Sequence, residues 1–67
     1  MQLLINGNAR DFTVLTMTVA QLVTQLELEG KRLAIERNGE IVTRSQFAQI
    51  ILQDGDKLEI VGAVGGG

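Results

Sequence analysis

Thr18-Val19-Ala20-Gln21-Leu22-Val23-Thr24-Gln25-Leu26-Glu27-Leu28 is the stretch on which the fold turns. Its apolar residues Val19, Leu22, Val23 and Leu26 recur at i, i+3, i+4 and i+7, so they share one face of a helix. Gln21, Thr24, Gln25 and Glu27 take the other sides. Thr18 followed three residues later by Gln21 matches a capping box, in which each side chain satisfies the backbone N–H of the other. Gly30 is the expected stop, with Lys31 and Arg32 placed to favour the negative end of the helix dipole. A single amphipathic helix must bury its apolar stripe against another element, so the flanking sequence decides the architecture.

Both flanks read as hairpins. Gln2 to Ile5 is a short β-prone run, Asn6-Gly7 is a strong turn signal, and Arg10 to Val14 alternates as a return strand should. Beyond the helix, Leu33 to Arg37 forms a third strand, Asn38-Gly39 repeats the turn signal, and Glu40 to Val42 returns. Ser45 is placed to cap a short helical turn through Phe47 and Ala48. Phe47, Ile50, Ile51 and Leu52 are apolar enough to close one side of a core. Asp54-Gly55-Asp56 makes a turn into a last strand, Lys57 to Val61, with Leu58 and Ile60 on one face and Glu59 and Val61 on the other. Hairpin, helix, hairpin, turn and strand give an α+β domain with a mixed sheet packed on one main helix. The helix supplies the crossover that lets the first and last strands lie parallel. That arrangement is the β-grasp, the ubiquitin-like fold.

Composition narrows the function. A chain of 67 residues is one small domain, burying only about 60% of the surface its unfolded form exposes. Six basic residues stand against eight acidic ones, and Phe12 and Phe47 are the only aromatic residues. There is no basic stripe for a phosphate backbone and no stacking platform, so nucleic acid is not the expected partner. Cys and His are absent, which removes thiolate nucleophiles, Cys-ligated zinc and the side chain that titrates near neutrality. Ser45, the only serine, has no His to activate it. An autonomous enzyme is not expected. No apolar run approaches the roughly 20 residues of a membrane span, and Met1 leads into a strand without a cationic leader. The expected location is the cytoplasm.

The sequence closes on Ala63-Val64-Gly65-Gly66-Gly67. Domain organisation therefore reads as residues 1–64 folded and residues 65–67 a flexible glycine tail. The tail is either a frayed leftover or an expression scar, or it is the working part. Val61, Ala63 and Val64 form an apolar stretch before it, which either packs into the core or docks a partner. Asp54, Asp56 and Glu59 admit a metal reading, but a calcium loop needs more ligands over a longer loop, and the turn reading is preferred. These acids are alternatively rim charges facing a basic partner. Arg10, Arg37 and Arg44 are scattered among acids and read as solvated surface rather than a phosphate site.

Glu36 to Phe47 (E-R-N-G-E-I-V-T-R-S-Q-F), Leu52 to Val61 (L-Q-D-G-D-K-L-E-I-V) and the closing V-G-G-G together resemble the sulfur carriers of thiamine biosynthesis, the ThiS family. The opening hairpin and the helix are similar too, so the resemblance covers essentially the whole chain. Members often carry Pro where this chain has Thr43 and Trp where it has Phe47. The resemblance implies that the α-carboxyl of Gly67 is adenylated with ATP by an E1-like adenylating enzyme, with no cofactor bound to the carrier itself. Sulfur from a sulfur-donating enzyme then gives a C-terminal thiocarboxylate, which thiazole synthase consumes. Gly65 and Gly66 become the slim arm that enters the partner. A free α-carboxyl, of pKa about 3.3–3.7, is ionised at neutral pH. Glycines lack Cβ and permit close approach, and three extended residues reach roughly 10 Å. Without Cys, the terminus is where this chain can carry a transferable sulfur. Two other readings stay open: a carrier for another acceptor such as molybdopterin, and a ubiquitin-like interaction module whose tail is never activated.

Overall fold

The computed structural model describes residues 1–62. Strand β1 (Gln2–Ile5) and β2 (Asn8–Asp11) form the first hairpin; β3 (Met17–Thr18) leads into α1 (Val19–Gln25). Strand β4 (Leu33–Arg37) and β5 (Glu40–Val42) form the second hairpin. A 3-10 turn (Arg44–Gln46), β6 (Ile51–Leu52) and β7 (Lys57–Gly62) complete the order. Five strands make a mixed sheet in the order β2-β1-β7-β4-β5. Among the described residues the one parallel pair in it is β1 with β7, in register Leu4 to Lys57 and Ile5 to Leu58. This is the β-grasp.

Both Asn-Gly pairs form two-residue turns, with Ile5 facing Asn8 and Arg37 facing Glu40. Asn6 and Gly7 have φ of 50° and 83°, and Asn38 and Gly39 have 51° and 88°. Positive φ at both central positions is the twist that lets a right-handed hairpin close, which is why Asn and Gly stand there. The tight first turn also corrects the expected return strand. Pairing begins at Asn8 and ends at Asp11 opposite Gln2, where β1 itself begins. Residues 12–14 therefore have little of β1 left to pair with, although Phe12 N–H still reaches the Met1 carbonyl at 2.8 Å.

The helix starts as its sequence predicts. Thr18 Oγ1 accepts from Gln21 N–H at 3.1 Å, and Gln21 Oε1 accepts from Thr18 N–H at 2.8 Å. It stops earlier than Gly30. Glu27 adopts φ 59°, its N–H donates to the Thr24 carbonyl, and Leu28 N–H donates to the Val23 carbonyl, both at 3.0 Å. That pair of bonds is a Schellman stop built on a non-glycine residue. The last helical turn contains no basic residue, so Lys31 and Arg32 do not sit on the dipole as expected. Leu28, just past the stop, folds back against the core.

The core lies between α1 and one face of the sheet. Val19, Leu22 and Val23 from the helix meet Leu3, Ile5, Ile35, Val42, Leu58 and Ile60 from the strands, with Met17 and Leu52 beside them. Each such side chain contributes about 1.5–3 kcal/mol on burial. A second, two-stranded sheet, β3 with β6, was not legible in the sequence. It pairs Met17 with Leu52 and Thr18 with Ile51, so Leu52 points inward while Ile51 is 56% exposed. Of the four apolar residues expected to close this side, Phe47 and Ile50 pack partly against the core, Leu52 is fully buried, and Ile51 is not part of it. The 3-10 turn is entered through Thr43 rather than Ser45. Thr43 N–H donates to Gln46 Oε1 at 3.0 Å, and the Ser45 hydroxyl lies 3.2 Å from that of Thr43, inside the turn.

Candidate functional site

In the sequence the expected working end follows β7, the middle strand of the sheet. Leu58 and Ile60 anchor β7 in the core, while Glu59 and Val61 alternate onto the outer face. Antiparallel pairing with β4 runs to the end of the described chain, Leu33 opposite Gly62 and Ala34 opposite Val61. On the other edge β1 turns away at Asn6, yet the ladder continues through the Asn6 side chain. Its Oδ1 accepts from Ile60 N–H at 2.7 Å, and its Nδ2 donates to the Ile60 carbonyl at 2.9 Å. β7 is therefore held on both sides close to the point where residues 63–67 begin. The site residues Ala63, Val64, Gly65, Gly66 and Gly67, and the boundary at residues 64 and 65, lie outside the described residues.

Val61 is the one expected docking residue within them. It is 61% exposed, so of the two readings open for it the core reading fails. Ile35 and Ile60, paired directly across β4 and β7, already fill the inner face, and strand alternation sends Val61 outward. The outer face is hollowed into a groove of about 340 Å³, lined among others by Leu33, Ala34, Ile41, Glu59 and Val61. Ile41 is 75% exposed at its rim and was missed in the sequence reading. Alternation within E-I-V was the available signal: if Val42 faces in, Ile41 must face out.

The acidic cluster divides. Asp56 is only 8% exposed. Its carboxylate accepts from Arg37 Nε at 2.9 Å, Asn38 Nδ2 at 3.1 Å and Gln53 N–H at 2.9 Å. Burial is the largest single influence on its pKa and raises it. The hydrogen bonds from Gln53, Asn38 and Arg37, with the charge of Arg37, together outweigh burial and hold the carboxyl below its ordinary value. Asp54 Oδ1 accepts from Gln2 N–H at 2.7 Å. Both aspartates thus tie the turn before β7 to neighbouring chain, and Asp56 is not a rim charge. Glu59 alone of the three projects from the outer face. Among the described residues no three His, Cys, Asp or Glu side chains are grouped to hold a metal ion.

The three arginines are also apart in role. Arg10 lies over the Phe12 ring, 5.9 Å from its centroid; Arg37 pairs with Asp56; Arg44 Nη2 donates to the Lys31 carbonyl at 3.3 Å. They do not converge on a phosphate site. Among the described residues no helix is long and apolar enough to cross a membrane.

The sequence model of the ThiS family matches residues 3–67. The chain belongs to the ThiS family. It is 37% identical to the sulfur carrier protein ThiS of Escherichia coli over 67 residues, the whole of both chains. It is also 37% identical to the sulfur carrier protein ThiS of Bacillus subtilis over 63 residues, 94% of this chain and 96% of that one. A thiazole synthase of Paramagnetospirillum magneticum is 49% identical over all of this chain, which spans 20% of that protein's length. The crystal structure of the thiamine biosynthesis protein ThiS from Geobacter metallireducens superposes with a TM-score of 0.87 at 29% identity, covering all of both chains. The hairpins, the single helix and the central β7 are thus the architecture of a solved ThiS protein.

Proposed function

We propose that this ThiS-family chain is a sulfur carrier protein of thiamine biosynthesis, acted on by partner enzymes rather than catalysing a reaction itself. The observation that carries the reading is the correspondence with a sulfur carrier protein over the whole of both chains. The carboxylate of Gly67 attacks the α-phosphorus of ATP in an E1-like adenylating enzyme, releasing pyrophosphate and leaving an acyl adenylate. Hydrosulfide, sulfur at the sulfide level supplied by the sulfur-donating enzyme, then attacks the acyl carbon and displaces AMP, so the terminus becomes a thiocarboxylate with no change of oxidation state. Donors that stabilise the developing charge belong to the partner in this reading, because among the described residues Arg10, Arg37 and Arg44 are not grouped for the purpose. Thiazole synthase receives the sulfur; relatives of that name contain a segment similar to this whole chain, which supports the pairing. The pairing of β7 to both β1 and β4 supports a division of labour. In this reading β7 carries the arm, Gly65 and Gly66 keep it slim, and Val61 with Ala63 and Val64 docks beside it.

Intact-mass spectrometry tests the proposal. Incubation with the adenylating enzyme, ATP and a sulfur donor exchanges one terminal oxygen for sulfur, and the mass rises accordingly. Deleting Gly67, or adding one residue after it, abolishes the gain while leaving thermal stability unchanged. A wild-type chain that gains no sulfur under these conditions removes the proposal. Transfer to thiazole synthase rather than to a molybdopterin-forming enzyme settles the acceptor.

A further inference from the structure

The centre of the outer sheet face contains a contact that the fold by itself does not favour. Glu36 on β4 stands directly opposite Glu59 on β7. Opposed residues on paired strands hold their Cβ atoms about 4.5–5.5 Å apart, where like charges repel. Both side chains are exposed. Among the described residues the one ion pair is Arg37 with Asp56, and Arg44, which lines the same groove, turns its guanidinium to the Lys31 carbonyl, so neither glutamate is salt-bridged. Lys57 lies on the same face two residues before Glu59 without pairing to it. Glutamate is also a poor strand former. Repulsion and propensity both argue against this placement in a small domain of marginal stability, and such a local contradiction is expected where a surface serves a partner.

The surroundings show what kind of partner. Ile41 stands opposite Glu36 on its other side, and Val61 follows two residues after Glu59, opposite Ala34. The two carboxylates are thus flanked by the exposed apolar side chains of the groove, and residues 63–67 continue directly from Gly62 at the end of the same strand. A divalent metal is the weaker fit, since two carboxylates leave most of its ligand positions empty. A fixed cation with apolar neighbours matches both charge and shape, and a planar guanidinium can meet two carboxylates at once.

We propose that Glu36 and Glu59 form a receptor for one arginine or lysine of the protein that takes up the tail, and that this cation sits between apolar contacts to Ile41 and Val61. The inference rests on the carrier reading for the identity of that protein. Docking relieves the repulsion stored between the two strands, so the same pair that weakens the free domain strengthens the complex. Stability and affinity therefore respond to neutralisation with opposite signs, which a merely structural role of either residue does not produce.

The test compares the full chain with Glu36→Gln, Glu59→Gln and Glu59→Lys. Thermal unfolding of each is measured beside its affinity for the adenylating enzyme and for thiazole synthase across a salt series. The glutamine variants unfold a few degrees higher than wild type, because one repulsion is gone. At low salt each binds at least one of the two partners about tenfold more weakly, and with a shallower salt dependence. Glu59→Lys is more stable still, through a cross-strand ion pair with Glu36, and binds most weakly. Unchanged affinity in all three variants overturns the inference, and so does a loss of affinity that only follows a loss of stability. If wild type acquires the thiocarboxylate and the variants bind as it does, the carrier reading stands and the receptor falls. If the glutamates govern binding but wild type is never charged, the receptor stands and the carrier reading falls.

Discussion

Asn6 and Ile60, 54 positions apart, exchange two hydrogen bonds through the Asn6 carboxamide, at 2.7 and 2.9 Å. The same residue opens the first turn at φ 50°. One asparagine therefore ends β1 and still extends its pairing with β7 by one rung. Asn38 repeats the device at the other edge. Its N–H donates to the Lys57 carbonyl at 2.7 Å, and its Oδ1 accepts from Lys57 N–H at 2.9 Å. The two turn asparagines grip the last strand from both sides.

Replacing Asn6 by Ala leaves the Ile60 N–H and carbonyl without their partner and places a Cβ-bearing residue with no compensating side chain at positive φ. The expected loss is about 2 kcal/mol, measured by urea denaturation at unchanged slope. Asn6→Asp keeps the acceptor and loses the donor, so it falls between wild type and Ala.

Asp56 makes stability depend on acid. Its carboxyl is held below the ordinary value in the folded state, while in the unfolded chain it titrates near about 3.9. Its contribution is therefore complete above that unfolded value and is lost as pH falls through the folded pKa. Denaturation followed from pH 7 downward shows this loss beginning near pH ~4. Asp56→Asn is destabilised by about 2–3 kcal/mol at neutral pH, because Arg37 loses its counter-charge. Its stability profile is also flatter in acid.

Glu27 ends the helix in a conformation that costs a side chain about 1 kcal/mol. Glu27→Gly, against the usual direction of glycine substitutions, raises stability by about 0.5–1 kcal/mol in thermal or urea unfolding. A decrease shows that the Glu27 side chain supports the stop.

Along β7 neighbouring faces separate folding from docking. Leu58→Ala, with its side chain fully buried among Leu3, Leu22 and Ile35 in the core cluster, costs about 2–5 kcal/mol. Val61→Asp changes stability by less than about 1 kcal/mol, since the residue is exposed, but weakens partner binding in a direct titration. Unfolding by Val61→Asp contradicts its place on the outer face.

Phe12, Thr13 and Val14, the last 41% exposed, lie past the end of β2 where the strand was expected to continue. Alternation in the sequence resembled a strand because it could not show how long β1 was. Tertiary pairing decides that length, since a strand ends where its partner ends.

Local chemistry written into the chain settled much of the rest. The i, i+3, i+4 stripe defined the buried face of α1, Thr18 with Gln21 defined its start, and each Asn-Gly defined a hairpin, because all of these act over a few residues. Period-two alternation in β7 separated Leu58 and Ile60 from Glu59 and Val61 for the same reason. Tertiary structure alone decided what depends on partners distant in sequence. It buried Asp56 under Arg37, joined β3 to β6, pinned Ile60 with Asn6, and set Glu36 against Glu59. None of these has a local period or a short-range signal. All but the separate β3–β6 pair exist because the helix crossover brings β7 into the middle of the sheet, between β1 and β4, where both Asn-Gly turns meet it.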